Sequence, residues 1–98
     1  MKTPARQRSA KQLDRDIADA LATKQVREQF GGDIADLLER SPGRYATVSW
    51  MYDASVVADP NRRFNEASYA KTDLPALLAM LRKHGVRQVS VDDHEFEI

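Results

Sequence analysis

Apolar positions recur along the chain with two periods, and the switches between them mark the elements. From Ser9 the spacing is helical. Leu13, Ile17, Ala20 and Leu21 fall on one stripe, with a weaker continuation through Val26 and Phe30. Ser9 is placed to cap this helix, with Gln12 three residues later as its capping-box partner. Asp14, Asp16 and Asp19 lie in its N-terminal half, where the helix dipole favours acids. Gly31-Gly32 stops the pattern. A short second helix is expected from Asp33, its N-cap, with Ile34, Leu37 and Leu38 as the apolar face. Ser41-Pro42-Gly43 ends it, because proline disfavours helical geometry in the residue before it.

At Arg44 the period drops to two. Residues 44–52 are rich in strand formers, with Ala46, Val48, Trp50 and Tyr52 on one face and Tyr45, Thr47, Ser49 and Met51 on the other. The first face is the better core candidate. Residues 53–61 admit two readings, an extension of the strand or a loop packed by Val56 and Val57, and Asp59-Pro60-Asn61 signals a turn. Residues 62–70 then read as a return strand through Phe64 and Tyr69.

The helical period returns at Leu74, Leu77, Leu78 and Leu81. Thr72 or Asp73 is the expected cap, Pro75 sits in the first turn, and Gly85 follows the basic end Arg82-Lys83-His84. The last segment reads as a hairpin about Asp92-Asp93, pairing Val91 with His94, Val89 with Phe96 and Arg87 with Ile98. That register directs Val89, Val91, Phe96 and Ile98 to one face, toward the third helix. Asp-Asp lacks the glycine that a two-residue type I′ turn prefers, so a longer turn is the alternative. The expected architecture is α+β, in the order α-α-β-β-α-β-β. Two N-terminal helices precede a small, mainly antiparallel sheet of three to four strands, packed against a third helix. Residues 1–8 hold nothing to bury and are expected to be a flexible basic tail on a single domain spanning 9–98.

Composition narrows the function. The 98 residues suffice for one domain, and 42% apolar content supports one small core. The formal net charge is zero, which weakens a reading as a general polyanion binder. Placement is uneven: residues 1–12 carry only bases, and Asp92, Asp93, Glu95 and Glu97 make the end acidic. No stretch reads as a signal peptide or membrane span, so a cytoplasmic location without membrane contact is expected. The absence of cysteine removes disulfides, thiol nucleophiles and zinc–cysteine sites. Ten arginines against five lysines, with frequent Ala and Asp, fit a GC-rich bacterial or phage source.

Little in the sequence carries chemistry. His94 lies among Asp92, Asp93 and Glu95, a set able to bind a metal or act as a base. In a hairpin, however, neighbouring side chains point to opposite faces. His84 is explained by the helix dipole. No nucleophile elbow or phosphate loop is present, and no cofactor is expected. The remaining candidate is an interaction site: Arg44, Arg62 and Arg63 flank the aromatic segments with Trp50 and Phe64. Arginine beside aromatics is a common hot-spot composition, combining apolar area with fixed donors. The competing reading makes Trp50 a core residue and the arginines ordinary surface. The expectation is a small non-enzymatic protein that binds another protein, as a regulator, adaptor or inhibitor. The alternative is a nucleic-acid-binding module using the basic tail and the arginines near Trp50. The stripe of the first helix is expected to pack on the chain's own core, with a homodimer seam as its alternative.

Overall fold

The computed structural model describes residues 9–98, so the expected tail at 1–8 lies outside the described residues. The elements are α1 (Ala10–Phe30), α2 (Gly32–Arg40), β1 (Tyr45–Met51), β2 (Phe64–Ala70), α3 (Leu74–Lys83), β3 (Gln88–Val91) and β4 (His94–Glu97). The α+β order expected from the sequence is the one observed.

The strands form one antiparallel sheet in the order β2-β1-β3-β4. Central β1 pairs along its whole length with β2, from Tyr45 opposite Ala70 to Met51 opposite Phe64. On its other side Val48, Ser49 and Trp50 face Val91, Ser90 and Val89. One face of the sheet meets the helices. There Ala46, Val48, Trp50, Val89 and Val91 join Val26, Phe30, Ile34 and Leu38 of α1 and α2 and Leu74, Leu78 and Leu81 of α3 in a single cluster. Each fully buried leucine contributes about 1.5–3 kcal/mol. Phe96 and Ile98 are only half-buried, and Phe96 lines shallow clefts shared with Ile34 and Leu37 of α2.

Several end signals act as expected. The Ser9 hydroxyl accepts from Gln12 N–H at 3.1 Å. At the end of α3, Val86 N–H donates to Leu81 O at 2.9 Å and Gly85 N–H to Arg82 O at 3.1 Å, with Gly85 at φ +87°. This is the Schellman arrangement that a glycine permits. The C-terminal hairpin has the expected register, with Val91 opposite His94, Val89 opposite Phe96, and Ile98 N–H donating to Arg87 O at 2.8 Å. Its turn is the short one: Asp92 (φ 47°) and Asp93 (φ 68°) are both left-handed, as a type I′ turn requires.

Other expectations need correction. Gly31, at φ 107°, takes the corner between α1 and α2, so α2 begins at Gly32 and Asp33 lies in its first turn without a capping bond. Residues Lys71–Asp73 form a 3-10 turn that leads into α3, and neither Thr72 nor Asp73 makes a side-chain cap. Of the two readings of residues 53–61 the loop is the one observed: a turn and a 3-10 segment at Pro60–Arg62 connect β1 to β2.

The largest correction concerns α1. Its buried residues are Ala22, Thr23, Val26 and Phe30, whereas Leu13, Ile17 and Leu21 are 46%, 57% and 56% exposed. Leu13 precedes Ala22 by nine residues, as Ile17 precedes Val26 and Leu21 precedes Phe30. Nine residues make two and a half turns, so the two stripes lie on opposite faces. The helix is apolar on both sides, and the stripe of Ala22, Val26 and Phe30 faces the core.

Candidate functional site

The open face of the sheet, away from the helices, carries Tyr45, Thr47, Ser49 and Met51 from β1. Its neighbours are Phe64, Glu66 and Ser68 from β2, Gln88 and Ser90 from β3, and Glu95 and Glu97 from β4. Strand alternation puts these side chains on one side, because successive residues point to opposite faces. The register makes Met51 and Phe64 a directly opposed pair, and they are 63% and 57% exposed. The same face holds Glu66, Glu95 and Glu97, and no strand residue on it is basic.

Beyond Met51, β1 and the segment entering β3 diverge. An open cleft of about 450 Å³ results, lined by Met51, Phe64, Asp53, Arg87, Gln88 and Glu95 among others. Arg87 is held at its rim, its guanidinium donating to Arg82 O at 3.1 Å. Trp50 and Tyr52 also line the cleft, and Trp50 meets Tyr52 edge-on and Tyr69 at a tilt, each at 6.2 Å between ring centroids. Among the described residues Trp50 Nε1 is buried with no hydrogen-bond partner, as are Asp19 Oδ1 and Arg44 Nε.

The loop beside this cleft is built from its own polar groups. Ser55 donates to the Asp53 carboxylate from its hydroxyl at 2.6 Å and its N–H at 3.0 Å. These bonds hold the Asp53 carboxyl below the usual aspartate range, with the nearby Arg63 charge adding to them. Arg63 clamps the loop's far side, donating to Val57 O and Ala58 O at 2.9 Å each.

The residues singled out from the sequence are therefore scattered. Trp50 is core, 8% exposed. Arg63 is half-buried and holds the loop. Arg62 is exposed, 3.8 Å from Asp59. Phe64 lies on the open face. Arg44 sits at the opposite end of β1, 3.6 Å from Asp19 of α1. The hairpin register sets Arg44 beside Lys71 and brings Arg63 to Tyr52, so Arg44 and Arg62 lie at opposite ends of the strand pair, about 20 Å apart. The two segments that carry them pair side by side as a hairpin, but the antiparallel register keeps Arg44 away from Arg62.

Met51 and Glu66 were not singled out, although the alternation already put Met51 on the face with Tyr45. Its partner Phe64 becomes legible only once the loop length sets the register. Lys71 was missed altogether. It is 6% exposed, and its ammonium donates to Leu38 O and Ser41 O at 2.9 Å each. A lysine thus satisfies the carbonyl end of α2 from another element, and no local spacing signals it. Around the chain's end, the Asp92 carboxylate is engaged by Thr47 N–H at 2.9 Å and lies 3.4 Å from the Ser41 hydroxyl. No group of three or more metal-ligating side chains converges among the described residues. No helix among them is long and apolar enough to cross a membrane.

No protein-family model, curated protein or solved structure shows a significant match to this chain.

Proposed function

We propose that this is a small, non-enzymatic protein-binding domain that docks through the open face of its sheet. The observation that carries the reading is the exposed Met51–Phe64 pair beside a cleft, on a sheet face that also carries Glu66, Glu95 and Glu97. Solvent-exposed aromatic and methionine side chains on a strand pair suit an interface, since both are enriched there and bury large apolar area on binding. The three glutamates give the partner its chemistry: an apolar side chain for the cleft, flanked by lysine or arginine. A regulator, adaptor or inhibitor of such a partner fits this surface, in the cytoplasm of a bacterial or phage-infected cell.

The nucleic-acid alternative is disfavoured on this face. Stacking platforms for single strands pair aromatics with bases that neutralise phosphate. Here the strand residues that share the face with the aromatics include glutamates and no base.

Equilibrium binding to a partner recovered by affinity capture tests the reading. Phe64→Ser should weaken the complex more than tenfold with the circular dichroism unchanged. Tight, steeply salt-dependent binding to a single-stranded oligonucleotide, unaffected by Phe64→Ser, would overturn it in favour of the alternative.

A further inference from the structure

Among the described residues the outer stripe of α1 is a second unpartnered surface, facing away from the core. Along it Asp14, Ile17, Leu21 and Lys24 are spaced by three, four and three residues, the a/d spacing of a helix-pairing seam. All four are exposed. Ile17 and Leu21 stand opposite Val26 and Phe30, so this face cannot also reach the chain's own core. Ala18 and Ala20 border the seam on either side, and their small side chains let a second helix approach closely.

The order of these residues is self-complementary in one direction. Consider two copies of α1 running antiparallel about a two-fold axis at the level of residue 19. Ile17 then meets Leu21 of the second copy, and Asp14 meets Lys24 of the second copy, and symmetry repeats both pairs. Antiparallel helices also oppose their dipoles favourably. Parallel, in-register pairing would instead set Asp14 against Asp14 and Lys24 against Lys24.

We propose that α1 is the seam of an antiparallel homodimer, closed by an Ile17–Leu21 core and capped at each end by an Asp14–Lys24 pair. The helix segment from Ala10 to Glu28 is about 28 Å long. A contact of that length falls below the roughly 1,200 Å² typical of stable interfaces, so the dimer forms in a concentration-dependent way. The seam points away from the core, and both open sheet faces stay free in the dimer. A partner with two binding elements would then be held bivalently.

Sedimentation velocity of the full chain over a hundredfold concentration range tests this. The wild type should shift from monomer to dimer. Ile17→Ser with Leu21→Ser should stay monomeric throughout, with its circular dichroism unchanged because both positions are exposed. Asp14→Lys and Lys24→Asp should each weaken the dimer about tenfold or more, by setting like charges opposite each other. The double charge swap should restore it, which only the antiparallel pairing predicts. A wild type that stays monomeric at every concentration would overturn the proposal. So would a dimer indifferent to the seam, or a double swap that fails to restore it. None of these outcomes touches Phe64, so they leave the sheet-face reading to its own test.

Discussion

Asp92 and Thr47 exchange two hydrogen bonds, one through backbone and one through side chain. Asp92 N–H donates to Thr47 O at 2.9 Å, and Thr47 N–H donates to Asp92 Oδ1 at 2.9 Å. The carboxylate thereby extends the β1–β3 ladder past Val48–Val91. This explains why an aspartate occupies a left-handed position that favours glycine.

The two turn residues should therefore respond oppositely to glycine. Asp93→Gly relieves a left-handed backbone and loses no side-chain hydrogen bond among the described residues, so it should stabilise by about 0.5–1 kcal/mol. Asp92→Gly relieves the same strain but strips Thr47 N–H of its partner, and should destabilise by about 1 kcal/mol. Urea denaturation of the two variants decides it; equal shifts would show that the Asp92 carboxylate contributes nothing.

Lys71→Met should cost about 2–3 kcal/mol, because Leu38 O and Ser41 O lose a charged donor in a buried setting. Lys83→Met, on the exposed end of α3, should stay within about 0.5 kcal/mol. Chemical denaturation at one protein concentration gives the comparison.

The two faces of α1 should separate in stability. Phe30→Ala should cost about 3–5 kcal/mol, since the ring is buried and lies 4.4 Å from the Arg82 guanidinium. Leu21→Ala should cost less than about 0.5 kcal/mol in dilute solution. Thermal melts below the dimerising range read this difference directly.

Asp53 should titrate below an ordinary aspartate, because Ser55 donates to its charged form. A depressed folded-state value means the ionised carboxylate favours the folded loop. That contribution is present above the unfolded pKa, near 4, and is lost as pH falls through the lower folded value. Ser55→Ala should raise the Asp53 titration midpoint in carboxyl-detected NMR; an unmoved midpoint would show that the hydroxyl is not its anchor.

Most of the fold was legible because its signals are local. Period two from Tyr45, the leucine spacing of α3, Gly85 and the hairpin register each follow from a few neighbouring residues. What escaped needed knowledge of distant partners. Leu13, Ile17 and Leu21 form the longer-chained stripe of α1, and only the packing of α2 and α3 decides that Ala22, Val26 and Phe30 face inward. Lys71 looks like any surface lysine until the end of α2 is placed over it. The candidate site divided along the same line. Phe64 was visible as an aromatic beside arginines. That it opposes Met51 rather than joining Trp50 follows from the β1–β2 register, which the intervening loop sets. The structural role of Arg63 is invisible in the sequence because its acceptors, Val57 O and Ala58 O, are backbone atoms of a loop with no regular period.

Amide chemical-shift mapping of the protein bound to its captured partner tests the central claim most directly. Docking on the open sheet face predicts that perturbations concentrate at Ser49, Met51, Phe64, Glu66, Ser90 and Glu95. Perturbations confined to α1 or to residues 1–8, with Met51 and Phe64 unmoved, would contradict it.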